Sequence, residues 1–251
     1  MPAHRTEAIV IQSIDFGEKD KLITFITKKY GKLKGIAKGA KKSKKRFPGR
    51  LEIFSYVNLI FFEKENLGLA RIESVNLIEP FSHINESIEK VTYGSYFAEL
   101  VNEMVGEREE NKAIFNLLLY FLRLLNKEKV CEEYLRIFEV RLLTLLGYQP
   151  QLDRCSICQR ELGLKVQNWF SLKRGGVICP HCHRGIDDLP ISLGTSRIMK
   201  AARNYPLGKI TRIKFTAQAL KESSQILSNF VEYHLGKRLK SLQFLEQMKR
   251  V

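Results

Sequence analysis

The chain has 251 residues, 44% of them hydrophobic, enough for two domains with real cores. It holds no apolar run of about 18 residues or more, as a membrane-crossing helix would need. The longest apolar stretch is broken by Asn116 and Arg123 and reads as a buried helix. The net charge of +15 is unevenly placed: residues 1–50 carry 14 Lys/Arg against 4 acids, residues 51–150 carry 10 against 16, and residues 151–251 carry 18 against 7. Charge serving solubility alone would be spread along the chain. Basic ends around an acidic middle point to a polyanion met by two separate surfaces.

The first 80 residues read as short strands with turn punctuation. β-Branched and aromatic residues mark strands over Glu7–Ile14, Lys21–Thr27, Leu33–Ala37, Ile53–Phe62 and Leu69–Ile78. Five antiparallel strands in so short a span suit a small closed barrel, such as an OB-fold, which leaves no exposed edge. An SH3-like barrel would give a similar string. Between the third and fourth strands runs Lys38-Gly-Ala-Lys41-Lys42-Ser-Lys44-Lys45-Arg46, six cations in nine positions. Gly35, Gly39, Pro48 and Gly49 argue for a loop there rather than a helix face. Lys38, Lys41, Lys42, Lys44, Lys45 and Arg46, with Lys34 and Arg50, are therefore the candidate phosphate contacts beside a groove that takes single strands, and Arg5, Lys28, Lys29 and Lys32 lie close enough in sequence to extend the patch. Phe47, inside this loop, is the candidate for stacking on a base.

Beyond Pro80 the hydrophobic period changes from 2 to about 3.6. Ile88, Val91, Ala98, Val101 and Val105 form one helical stripe. Ala113–Leu125 is a second helix, and Glu132–Leu146 a third with Leu135, Phe138, Leu142 and Leu145 on its buried face and Gly147 just past its end. Helices resume at Ser196–Arg203, Ala217–Leu235 and Leu239–Met248. The expected fold class is α+β: an N-terminal five-stranded barrel over residues 1–80, then an all-α domain over 81–251 interrupted by a cysteine module at about 151–188.

That module holds Cys155-Ser-Ile-Cys158 and Cys179-Pro-His-Cys182, two Cys-x-x-Cys turns separated by 20 residues. Each turn can offer two sulfurs to one tetrahedral ion, and four thiolates close the shell, so the expected group is one structural zinc ion. Two disulfides would instead require an oxidising compartment. The opening MPAHRTEAIV lacks a charged segment followed by an apolar core, so a reducing, cytoplasmic setting is expected. His181 and His183 flank Cys182 as outlying residues, Trp169 is expected to pack on the module's own scaffold, and Cys131 has no partner at ligand spacing. No phosphate loop, nucleophile elbow or His-Glu-x-x-His is present, so no enzyme is expected. Asp187-Asp188, the one adjacent aspartate pair, keeps a metal-dependent nuclease as an alternative. An RNA-binding factor with a zinc ribbon is another, since phosphate contacts do not tell the sugars apart.

Several segments, taken in order, resemble the RecO family of bacterial recombination and repair mediators nearly end to end. They are Gly17-x-x-Asp20, Thr27 and Gly31, Ala37-Lys38-Gly39, the run RLLTLLGYQPQLDRCSIC from Arg141 to Cys158, and FSLKRGGVICPHC from Phe170 to Cys182. The resemblance implies an OB-fold followed by a helical domain bearing a zinc finger. It also implies binding of single- and double-stranded DNA, annealing of complementary strands, and work with RecR and the acidic tail of single-stranded-DNA-binding protein to load RecA. Some family members lack the cysteines; this chain keeps all four. For an acidic partner tail, Arg123 and Arg136 on the central helices are candidate anchors.

Overall fold

A computed structural model describes residues 2–43, 46–47, 49–63, 68–163 and 166–248. Two compact units emerge: Met1–Lys129 together with Lys240–Val251, and Val130–Leu239.

In the first unit, strands β1 (Ala3–Phe16), β2 (Asp20–Thr27), β3 (Gly31–Ala37), β4 (Tyr56–Phe62) and β5 (Ala70–Glu79) close in the order β1-β2-β3-β5-β4. The long β1 serves two neighbours. Its first half pairs with β4, from Ala3 opposite Phe62 to Ile9 opposite Tyr56, and its second half with β2, ending at Phe16 opposite Asp20. A short parallel pairing of β3 with β5, Gly35 opposite Ala70, seals the barrel. A Cβ on Gly35 would stand 2.9 Å from the Ala70 carbonyl oxygen, so only glycine lets the two strands meet. This connectivity is the OB-fold. Its interior is filled by alternate residues, among them Val10, Ile23, Phe25, Leu33, Leu59 and Phe61.

The regular pairing is interrupted in β1, and the β4–β5 register also shifts at Tyr56/Val57 and Ile60/Phe61. A bulge between Val10 and Gln12 reverses β1, so that Ser13 opposes the inward Ile23 while Ile14 opposes Leu22. β4 also starts later than its apolar run suggests, at Tyr56 rather than Ile53. Phe54 sits at φ 73° and its N–H bonds to the Val10 carbonyl at 2.8 Å, outside the ladder.

Helices α1 (Ile88–Met104), α2 (Lys112–Lys127) and the C-terminal α6 (Lys240–Met248) complete this unit. Ser87 caps α1 by accepting from the Lys90 N–H, and Asn111 caps α2 by accepting from Ala113 and Ile114. Glu99 of α1 accepts from the backbone N–H of Lys240 and Ser241 at 3.1 and 2.8 Å, which places a carboxylate at the positive end of α6. Ile88, expected on the buried stripe, is 67% exposed because it opens the helix beyond the packed turns.

The second unit packs α3 (Glu132–Leu145), α4 (Leu193–Asn204) and α5 (Ala217–Leu235) against one another. Gly147, at φ 86°, ends α3 as its position suggests. Leu145 is only partly covered, being the last helical residue. Between α3 and α4 lies the cysteine module, which contains three short strands absent from the sequence reading: β6 (Asn168–Ser171), β7 (Gly176–Ile178) and β8 (Leu189–Ile191), in the order β7-β6-β8. The Ser196 hydroxyl donates to the Leu152 carbonyl at 2.6 Å and Arg203 to that of Pro150 at 3.1 Å, so α4 holds the chain where it enters the module.

Candidate metal centre and nucleic-acid interface

The four sulfurs of Cys155, Cys158, Cys179 and Cys182 lie within 4.8 Å of one another, and Cys158 and Cys179 Sγ approach to 3.7 Å. A tetrahedral ion with bonds of about 2.3 Å needs sulfurs about 3.8 Å apart, so the donor set fits a metal ion. Two backbone turns build it. The Cys155 N–H donates to the Arg160 carbonyl and the Gln159 N–H returns to Cys155 O, both at 2.9 Å. In the second turn, Cys182 and His183 N–H both donate to Cys179 O at 3.0 Å. Cys155 and Cys179 are buried, and with Ile178 they form the module's own core, against which Cys182 packs. All four are free thiols.

The electrostatics favour a bound cation. Burial works against ionisation of Cys155, but the backbone N–H groups of Cys158, Cys179 and Ile157 outweigh it and bring the thiol down to about 6. Cys182 moves the other way, to about 12, mainly because its side chain bonds to Cys158. Clustered thiolates repel, so the set loses its remaining protons only when a cation compensates.

The neighbouring residues are structural. Trp169 stacks flat on His183 with ring centroids 4.0 Å apart and 4° between the planes. His183 Nε2 stands 3.6 Å from Asp188 Oδ2, while His181 is exposed. Asp188 thus pairs with a histidine, and among the described residues the cysteines are the group of metal-donor side chains that converges. Beside them opens a cleft of about 720 Å³ whose charged lining is mixed, Lys173, Arg174 and Arg184 with Asp187 and Asp188, so three of the C-terminal cations share it with two carboxylates.

On the barrel, the basic segment folds back onto the β1–β2 turn. Ala40–Lys42 forms a single 3₁₀ turn whose Lys41 N–H donates to Lys19 O at 3.1 Å. The Gly39 N–H donates to Asp20 Oδ1 at 2.7 Å, and Lys41 Nζ reaches Asp15 at 2.9 Å. Lys34, Lys38, Lys41, Lys42 and Arg46 are exposed. Lys34 pairs with Glu107, and Arg46 donates to the Lys38 carbonyl at 3.0 Å. Arg50 is only half-exposed and donates to Val75 O at 3.0 Å. Lys44 and Lys45 lie outside the described residues. Lys19, which the linear pattern leaves out, joins this set through the backbone bond to Lys41.

Two expectations need correction. Phe47 is not a stacking surface: it is 4% exposed and belongs to the barrel core, where it pins the basic loop. Arg136 is no surface anchor either. Its side chain is 3% exposed and pairs at 3.0 Å with Glu139, itself fully buried. Arg123 does stay at the surface, bonded to Glu79 Oε2 at 2.9 Å and lying 5.6 Å from the Tyr56 ring centroid.

Residues 1–81 match the family model described as Recombination protein O N terminal, and residues 85–243 that of Recombination protein O C terminal. The chain belongs to the RecO family. Its relatives include the DNA repair protein RecO of Syntrophus aciditrophicus, 38% identical over 251 residues that cover 99% of this chain and 97% of the relative. RecO of Desulfatibacillum aliphaticivorans is 35% identical, covering 100% and 99%. RecO of Bacillus pumilus is 31% identical, covering 97% and 94%. Membership in the RecO family makes this a protein of DNA repair and recombination. No helix among the described residues is long and apolar enough to cross a membrane.

Proposed function

We propose that this RecO-family chain is a non-enzymatic DNA-binding mediator, which holds single and double strands on cationic surfaces, anneals complementary strands and helps load a recombinase. The observation that carries the proposal is the set of exposed cations tied round the barrel's β1–β2 turn: Lys34, Lys38, Lys41, Lys42 and Arg46. Lys44, Lys45 and Arg50 are counted with them as phosphate contacts. Annealing requires no nucleotide and no covalent step. It requires positive charge that lowers the repulsion between two polyanions. Lys173, Arg174 and Arg184, which outnumber Asp187 and Asp188 in the cleft beside the cysteines, are the proposed second contact with phosphates.

Zinc is the metal proposed for Cys155, Cys158, Cys179 and Cys182, because four thiolates suit a soft, closed, tetrahedral shell. Its role is structural. RecR, single-stranded-DNA-binding protein and RecA are the proposed partners, with Arg123, the arginine of the two that remains accessible, facing an acidic tail. The proposed setting is the cytoplasm.

Replacement of Lys38, Lys41, Lys42 and Arg46 by Ala tests the DNA reading. Losing four single-strand phosphate contacts should flatten the slope of log affinity against log salt by about 3 and slow annealing of complementary oligonucleotides. An unchanged slope, or tighter binding to an RNA oligomer of the same sequence, would refute it.

A further inference from the structure

The outer face of strands β1, β2 and β3 leaves an apolar strip uncovered at the end where the basic segment docks. Alternation in the barrel sends Ile23 and Phe25 inward, so Leu22 and Thr24 face out. Three outward rows follow from the register. Gln12 opposes Thr24, which opposes Lys34; Ile14 opposes Leu22, which opposes Ile36; and Phe16 opposes Asp20. The segment after α1 covers this face farther along: the Arg108 N–H bonds Lys32 O at 3.0 Å and Glu107 pairs with Lys34. Thr24 and Lys32 are accordingly buried, at 4% and 7%. That cover stops at the Lys34 row. Beyond it Ile14 is 49% exposed and Phe16 51%, with Leu22 and Ile36 half-exposed between them.

What surrounds the strip indicates its occupant. Asp20, directly opposite Phe16, spends its carboxylate on the Gly39 N–H, which ties the lysine-rich turn to the edge of the strip. Lys19, Lys38, Lys41 and Lys42 are exposed there, Lys34 borders the strip along one row, and Arg71 opposes Ile36 in another. Asp15 and Glu18 are exposed at the same turn, so the border is mixed with cations in excess, and an apolar strip so bounded complements a polyanion that also carries exposed flat faces. A duplex hides its base faces in the stack, whereas a single strand presents them beside its phosphates.

We propose that Phe16, with Ile14 beside it, is a stacking platform for the bases of a single strand whose phosphates lie on the Lys38–Lys42 turn. The platform is what separates single from double strands, because the cations alone act on either. This inference rests on the DNA-binding reading above and adds to it the residues that touch bases.

The test measures binding of the full chain to an oligothymidylate, to an abasic oligomer of equal length and to a duplex, by fluorescence anisotropy. Phe16→Ala should weaken oligothymidylate binding about tenfold while leaving abasic and duplex binding within about twofold, with the salt slope unchanged. Phe16→Leu, which keeps apolar bulk without a ring, should show the same loss, and Phe16→Tyr should restore binding. Thermal unfolding of each variant confirms that the fold is retained. Equal losses on base-bearing and abasic strands would overturn the proposal. So would unchanged oligothymidylate binding in Phe16→Ala where the Lys38, Lys41, Lys42 and Arg46 replacement still weakens it, including the case where Phe16→Ala changes only self-association. If neither replacement weakens binding, the nucleic-acid reading itself fails and this inference with it.

Discussion

Removing the metal should unfold the cysteine module and spare the barrel. Around the sulfurs the buried cluster is Cys155, Ile178 and Cys179 with Cys182 against it, so three of these four side chains are the proposed ligands, while Phe170 and Val177 of the module are buried elsewhere. With sulfurs within 4.8 Å of one another, the site is close to the arrangement that a tetrahedral ion imposes. Apparent binding energies for structural zinc in small modules are about 10–16 kcal/mol, more than such a cluster gains by burial, and they appear directly as folding energy. Reduced protein should therefore contain one zinc ion per chain by elemental analysis. After chelation, hydrogen exchange should accelerate over residues 151–188 while the amides of β1 to β5 stay protected. Cys155→Ser should lower the melting temperature more than it lowers DNA affinity measured on folded protein. Retention of amide protection across the module in verified metal-free protein would refute the reasoning, as would freshly reduced protein that contains no zinc.

Arg136→Ala takes the guanidinium from the fully buried Glu139 carboxylate and should cost about 3–5 kcal/mol in urea unfolding, whereas Arg136→Met with Glu139→Leu should cost less. A loss below about 1 kcal/mol in the single variant would place Arg136 at the surface after all. Phe47→Ala should destabilise the barrel by about 3–5 kcal/mol, and loss of DNA binding at unchanged stability would return Phe47 to a stacking role. Glu7 is held below its ordinary value of 4.5 by the Lys28 ammonium at 2.6 Å and by the Tyr56 hydroxyl, so its contribution is present above that value and lost as pH falls through the lower folded one. Glu7→Gln should thus be about 1 kcal/mol less stable at neutral pH and converge with the parent in acid; a gap that widened in acid would contradict this. Asp15→Asn should leave Lys41 only its bond to the Gly17 carbonyl and tighten single-strand binding by less than about fivefold, since an exposed pair is worth at most about 1 kcal/mol, and weaker binding would refute the pairing.

Most of the fold was legible because local signals and tertiary packing agree. β-Branched runs mark five strands, the 3.6 period marks the helices, and Gly147 stands where a helix should end. The convergence of the four cysteines was legible because two Cys-x-x-Cys turns state their chemistry by spacing alone. The stacking candidate was not. Ile14 and Phe16 share the even positions of Ala8 and Val10, which face the core, so unbroken alternation would bury all four. One extra residue, Ile11, reverses the strand and turns Ile14 and Phe16 outward. Nothing in a linear pattern announces such a bulge, because Ile11 is itself apolar and 3% exposed. Phe47 fails for the opposite reason: a basic neighbourhood made it look solvated, yet a ring in a loop can anchor that loop in a core. Arg136 was misjudged because an i, i+3 pair with Glu139 reads the same whether it is solvated or enclosed.

Several cations of the proposed DNA surface already hold partners within the chain. Lys34 is paired with Glu107, Lys41 with Asp15, and the guanidinium of Arg46 with the Lys38 carbonyl. Each is an exposed contact worth at most about 1 kcal/mol, so a phosphate displaces it at little cost. Those contacts also hold the side chains near the strip, which lowers the entropy lost when a strand binds. An annealing surface needs that balance. Cations with no internal partner would grip each strand more firmly and impede its sliding into register with a complement. Cations locked in buried pairs, as Arg136 is, would not respond to DNA at all. On the proposed annealing role, competition with nearby carboxylates would keep each phosphate contact weak and replaceable, while the number of contacts would set the total affinity and its steep dependence on salt.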